Sequence, residues 1–205
     1  MTLVTQQEQD AIAAAITEVE RLTDAELVTV LAAQSDDYRY IPTLWAALLA
    51  LLTPLCLSLS NYWLDPGDTM LAQFGVFMVM AAVFRWRPLM FLLLPRTVRE
   101  WRASNLARRQ FLEQNLHHTK GDTGVLIFVS EAERYVEIIA DRGIDQHVSA
   151  QQWQAIIDDF SASVHSGATA EGFINCIQAC GKLMIEHAPV SGEKNELPNH
   201  LIILD

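Results

Sequence analysis

Several things that define familiar protein classes are scarce or missing in this chain. Its 205 residues include three cysteines, Cys56, Cys176 and Cys180. One lies in an apolar block and the other two are four apart on a predicted helix. No disulfide framework is expected, and they read as small packing residues in a reducing compartment. Basic residues are few, 14 Lys plus Arg against 25 Asp plus Glu for a formal net charge of -11, which argues against nucleic acid as a partner. The opening "MTLVTQQEQDAIAAAITEVE" has neither a basic n-region nor an unbroken apolar run, so no cleavable signal peptide is expected there. Also absent are a Cys-x5-Arg nucleophile loop, an Asp-x-Asp motif, a P-loop and a Gly-x-Ser-x-Gly elbow. Without a nucleophile, metal-assisted chemistry is the hydrolytic route that remains.

Charge itself is missing from two long stretches. Residues 41–60, "IPTLWAALLALLTPLCLSLS", carry none over about the 20 residues that a bilayer core requires. Pro42 falls in the first turn, where its missing N–H costs little, and Pro54 predicts a kink. Residues 69–84 are also uncharged, and a span over 69–87 is completed if Arg85 and Arg87 snorkel to the interface beside Trp86. The joining stretch "NYWLDPGD" has acidic and aromatic residues but no Lys or Arg. Two buried core helices are the plainer reading, but the short connection and Trp45, Tyr62, Trp63 and Trp86 at interface depth favour a transmembrane hairpin. Pro88 stops the second span, so "LMFLLLP" is expected to lie along the membrane surface or to pack on the soluble part.

Arg85, Arg87, Arg96, Arg99, Arg102, Arg108 and Arg109 are seven of the 14 basic residues. Their position after the second span places that side in the cytoplasm by the positive-inside rule. A hairpin returns the chain to the side it left, so both termini are expected there, in a bacterial inner membrane. The arginines of 96–116, a predicted helix, would then lie near anionic head groups.

Outside the hairpin the pattern is α/β. Thr5 and Glu8 have capping-box spacing ahead of Ile12, Ala15, Ile16, Val19 and Leu22, which predicts a helix over 5–22. Residues 26–33 read as an interior strand, apolar on both faces. Residues 125–129 and 135–140 read as a β-hairpin whose tip, Glu131, Glu133 and Arg134, is solvated. Ser149 and Gln152 repeat the capping box before Trp153, Ile156, Ile157, Phe160 and Val164, and Phe173, Ile177, Cys180 and Met184 line a last helix that ends before Pro189. Residues 189–205 read as a polar, loosely held tail. These elements form a complete layered unit only if the early strand joins the later hairpin, which makes 41–94 an insertion into one domain built from 5–37 and 95–188.

"TGVLIFVSEAERYVEIIADRGI", followed by "WQAIIDDF" and "GATAEGFINCIQACGKLMIEHAP", resembles the TPM domain of bacterial membrane proteins and thylakoid lumen proteins. "ITEVERLTDAELVTVLAAQSDDYR" matches that domain's first helix and strand, and the insertion resembles a bacterial subgroup of predicted membrane proteins. The resemblance implies an α/β/α sandwich interrupted by the two-helix transmembrane hairpin. For some members it implies a divalent metal site, Ca or Mg, with acid phosphatase activity, and for others a role in assembly or repair of membrane complexes. The family's Asp-Asn-Gly appears here as Asp122-Thr123-Gly124, and its Gly-Tyr-Gly-Leu-Glu as Asp141-Arg142-Gly143-Ile144-Asp145.

Hard cations need several converging oxygens. Asp122, Asp141 and Asp145, at the open end of the β-hairpin, are the candidate metal ligands; the plainer reading makes them turn and cap residues, as it does for Asp36 and Asp37 after the first strand. His117 and His118 are adjacent and point apart on a helix, and His147, His165 and His187 have no partner at ligand spacing. The expected function is a non-catalytic binding or assembly module for membrane components, with the lipid bilayer and other membrane proteins as partners. A divalent-metal-dependent phosphatase acting near the membrane surface is the alternative.

Overall fold

The protein is described by a computed structural model covering residues 4–59, 64–191, 198 and 200–204, with the side chain of Arg87 outside that set. The inter-span residues Tyr62 and Trp63 lie outside it too. The chain divides into two compact units, one made of 1–35 and 100–205, the other of 36–99.

The first unit is built on a four-stranded sheet in the order β3-β2-β1-β4. Strand β1 (Leu27–Ala32) pairs parallel with β2 (Val125–Ser130), from Leu27 opposite Val125 to Ala32 opposite Ser130. Strand β3 (Tyr135–Ala140) returns antiparallel to β2. The early strand therefore pairs with the later hairpin across almost a hundred intervening residues, and parallel neighbours need such a crossover. The second unit sits within this crossover, so one sheet is assembled from both sides of it.

Every residue of β1 and β2 is buried, which is why 26–33 reads as apolar on both faces. Leu27, Leu31, Val125, Ile127 and Val129 face one core, shared with Ile12 and Ile16 of α1 (Gln6–Glu20), Phe160 of α7 (Ala150–His165), and Phe173, Ile177, Cys180 and Met184 of α8 (Thr169–His187). Val28, Val30, Leu126 and Phe128 face the other, against Ala103 and Ala107 of α5 (Arg96–Glu113) and against Leu116. The result is the expected α/β/α sandwich, with three helices on one face and α5 on the other.

Both capping boxes form. Thr5 N–H donates to Glu8 Oε2 at 2.7 Å and Glu8 N–H to Thr5 Oγ1 at 3.3 Å; Ser149 and Gln152 reciprocate at 3.0 and 3.3 Å. Each box satisfies donors that the first helical turn leaves without partners. At the other end of α8, Thr23 Oγ1 and Asp24 N–H donate to the Ala188 carbonyl at 2.5 and 3.0 Å.

The tail departs from expectation. Leu201–Leu204 forms β4, parallel to β1 from Thr29 opposite Leu201 to Ala32 opposite Leu204. Leu201 and Ile203 join one core and Ile202 and Leu204 the other. Four apolar residues carry too little periodicity to announce a strand, and their partner lies far away in sequence.

In the second unit, α2 (Tyr40–Leu59) and α3 (Pro66–Val83) pack against each other. Pro54 lies inside α2, and Pro66 opens α3. Both helices are long and apolar enough to cross a bilayer. The second ends at Val83, short of the expected 87. Trp86 then caps α4 (Arg87–Leu93), with Pro88 in its first turn. Residues 88–94 pack inside their own unit: Met90 and Leu94 are buried with Tyr38 and Ile41, and the Phe91 ring meets Tyr38 edge-on at 6.0 Å.

Candidate functional site

The strand directions sort the aspartates. Because β1 and β2 are parallel, Ala32 lies level with Ser130, and Val125 is level with Leu27 at the other end of the sheet. Asp122 and Asp141 belong to the Val125 end, where Val125 pairs with Ala140. Asp36 and Asp37 follow β1 from the Ala32 end and belong to the second unit, where Asp37 is paired with Arg39 at 3.0 Å.

At the Val125 end, two glycines hold the backbone together. Asp141 N–H donates to the Gly124 carbonyl at 2.8 Å, and Gly143 N–H to the Asp122 carbonyl at 2.7 Å. A Cβ on Gly143 would lie 2.3 Å from Gly121 O and 2.5 Å from Asp122 O, so only glycine allows this approach. A Cβ on Gly124 would come equally close to the Leu116 carbonyl, at 2.3 Å. Asp122 itself has φ of 57°, a left-handed conformation that aspartate tolerates better than most residues.

This backbone sets Arg142 beside Asp122, Nη2 to Oδ2 at 2.8 Å. Asp141 Oδ1 accepts from Arg142 N–H at 2.7 Å and caps the single-turn α6 (Arg142–Asp145). The Asp122 carboxylate raises the Arg142 guanidinium further above its already high range. Solvent reaches both partners, so the pair adds little to stability. Asp145 lies in the same turn, exposed. A resident Ca or Mg ion would need several oxygens aimed at one point. Here Asp122 is held by a cation of the chain's own and Asp141 is a helix cap, and no three His, Cys, Asp or Glu among the described residues are grouped to hold a metal. As folded, Asp122, Asp141 and Asp145 do not fit such an ion.

The opposite end holds a group that sequence reasoning misplaced. Glu133, read as solvated, is buried. Its carboxylate accepts from Ser35 N–H at 3.1 and 3.2 Å and from the buried Ser130 hydroxyl, and Ser35 Oγ donates to Ser130 Oγ at 2.8 Å. The β2–β3 turn is thereby tied to the loop leaving β1. Charge-assisted bonds of this kind compensate for burying a carboxylate. Arg134 fits the original reading, exposed with φ of 53° in the turn.

A second polar cluster lies on edge strand β3. Ser104 Oγ on α5 donates to Glu137 Oε1 at 3.2 Å and Tyr135 Oη to Glu137 Oε2 at 3.1 Å. Burial raises the Glu137 carboxyl, although both bonds and the nearby Arg108 pull it down. Burial first, then the Glu137 charge, pushes the Tyr135 phenol up to about 12. Neither residue stood out in the sequence, where 135–140 reads only as a strand; the charge of Glu137 in that run is the signal that was there to find.

The remaining candidates are structural. Cys176 and Cys180 are buried free thiols, and the hydrogen bond between them together with burial holds the Cys176 thiol well above its ordinary range, far from the reactive thiolate. His147 and His187, which spacing left apart, stack with ring centroids 5.3 Å apart, and His117 and His118 lie 4.0 Å apart. A cleft of about 440 Å³ between α7 and α8 is lined by Asp159, Phe160, Ser163, Asn175 and Cys176 among others.

Comparison with known proteins places this geometry. No match is found among curated proteins. The NMR structure of the BA42 protein from the psychrophilic bacterium Bizionia argentinensis has the same fold, with a TM-score of 0.61 over 98% of this chain and 94% of that one, at 18% identity. The family model for the TPM domain matches residues 88–183, from α4 through β2, β3 and α7 into α8. Residues 88–183 are thus similar to the TPM domain, and the chain as a whole shares the fold of BA42.

Proposed function

We propose that the chain is an integral protein of the bacterial inner membrane, anchored by α2 and α3, whose cytoplasmic TPM domain is a non-catalytic module for binding or assembling other membrane components. One observation carries the membrane part. Met70, Leu71, Phe74, Met78 and Val79 of α3 are exposed, from 53% to 71%, and no residue of that helix is buried. A core helix would bury an apolar face against its own protein, so these side chains need lipid. The orientation rests on charge: seven arginines lie between 85 and 109, and none lies between 40 and 84. The binding role is supported by the chemistry of the polar groups. Asp122 is paired with Arg142, the Cys176 thiol stays protonated, and Glu133 is occupied by Ser35 and Ser130.

Topology is tested by cysteine labelling in intact cells with a membrane-impermeant maleimide, in a Cys56→Ser background. Asp65→Cys is expected to label and Gln154→Cys, exposed on α7, to label only after the cells are opened. The reverse pattern overturns the orientation. For the domain's role, co-purification from native membranes is expected to recover membrane proteins. Magnesium- or calcium-stimulated hydrolysis of p-nitrophenyl phosphate, abolished by Asp122→Ala, would replace the binding role with the phosphatase one.

A further inference from the structure

Helix α5 is apolar on two sides. Its inner face packs on the sheet through Ala103 and Ala107, fully buried, with Leu106 and Phe111 partly buried beside them. Its outer face carries two further large apolar groups, Trp101 at 59% and Leu112 at 56% exposure, with exposed Asn105 and Arg108 between them. Positions 101, 105, 108 and 112 fall at the i, i+4, i+7 and i+11 spacing of a single stripe. Arg102 lies over the Trp101 ring at 4.9 Å, and Arg109 borders the stripe in a pair with Glu113 at 2.8 Å.

Isolated exposed apolar residues need no explanation. A tryptophan and a leucine on one helical stripe, flanked by arginines, have the composition of a helix lying in a membrane interface, where the indole sits at headgroup depth and the guanidinium groups meet lipid phosphates. Charge complementarity selects the lipid. The chain as a whole carries a net charge of -11, yet the run from Arg85 to Arg109 holds seven arginines and a single acid, Glu100. The same run follows the second candidate span directly, α3 ending at Val83 and α5 starting at Arg96.

We propose that the outer stripe of α5, Trp101, Asn105, Arg108 and Leu112, is a docking surface for the anionic phospholipid headgroups of the bilayer that holds α2 and α3. This rests on the membrane reading above and adds to it a second, peripheral contact made by the TPM domain itself.

The test uses the full chain in a Cys56→Ser background, with an environment-sensitive fluorophore at Asn105→Cys or, as control, at Gln154→Cys. Each is reconstituted into nanodiscs of phosphatidylcholine alone or with about one third phosphatidylglycerol, and quenched with neutral acrylamide. In the phosphatidylglycerol discs the probe at 105 is expected to be quenched at least two-fold less than the probe at 154. Arg108→Glu is expected to remove that protection. Equal quenching at the two positions in discs that have taken up the protein would overturn the docking surface and leave the anchor standing. Protection that persists in detergent micelles or in phosphatidylcholine alone would overturn the recognition of anionic lipid. Failure of the chain to enter discs at all would overturn the anchor, and this surface with it.

Discussion

The two units of this molecule are both rich in apolar residues and use them in opposite ways. Strands β1 and β2 bury all twelve of their residues inside the sandwich, whereas α3 buries none of its eighteen. Composition alone does not separate these regions; the destination of the side chains does. In the first, protein covers both faces of the sheet, and the hydrophobic effect stabilises the fold directly. In the second, the exposed side chains of α3 gain nothing from burial in the protein, and the helix is long and apolar enough to cross a bilayer.

The largest predicted effect tests this contrast with a matched pair. Ile177 has no exposed surface, so Ile177→Ala is expected to cost about 2–5 kcal/mol and to lower the denaturation midpoint of the detergent-solubilised protein accordingly. Leu71, 71% exposed on α3, is expected to tolerate alanine without loss in the same assay. Equal losses would mean that α3 is a core helix, and the contrast would disappear. Phe74→Arg probes the other side. An arginine near the centre of a span costs about 2.5–3.5 kcal/mol on insertion scales, so the variant is expected to shift from the carbonate-resistant membrane fraction to the soluble one. A helix that merely faced water would accept it.

A smaller effect is expected at the Val125 end of the sheet. Gly143→Ala places a methyl 2.3 Å from a backbone carbonyl, and overpacking of this kind costs about 1–3 kcal/mol. It is expected to lower the melting temperature of the sandwich and leave carbonate resistance unchanged. A matching loss of membrane association would show that the two units fail together.

The same contrast explains what the sequence made legible. The charge-free blocks, the capping boxes at Thr5 and Ser149, the β-hairpin and the apolar face of α8 all depend on local spacing, and each is found where local spacing put it. The arrangement of the candidate site depends on partners far along the chain. Strand direction sets Asp122 at the end of the sheet opposite the exit of β1, Arg142 reaches back twenty residues to Asp122, and Ser35 turns Glu133 from a solvated turn residue into a buried one across 98 residues. Strand β4 escaped for the same reason, since its partner β1 lies far back in the sequence, Thr29 opposite Leu201.

The smallest prediction concerns pH, and it sharpens the comparison because only one unit has anything to titrate near neutrality. The second unit contains no Glu or His, so pH dependence of melting between about pH 5 and pH 8 belongs to the sandwich. Glu137 is the group to follow. Burial raises its carboxyl above the ordinary 4.5, in opposition to Ser104, Tyr135 and Arg108. The folded state therefore holds this proton to higher pH than the unfolded chain does. Its contribution is fully present below the ordinary value and is lost as pH rises through the raised one. Glu137→Gln keeps an acceptor for the Ser104 hydroxyl and removes the half-buried charge. It is expected to raise the melting temperature by a few degrees at pH 7 and to change nothing at pH 4, with Ser104→Ala lowering it at pH 7. If Glu137→Gln were destabilising at pH 7, the hydrogen bonds from Ser104 and Tyr135 to the ionised carboxylate would outweigh its burial, and the edge of β3 would be held by charge where the two central strands are held by packing.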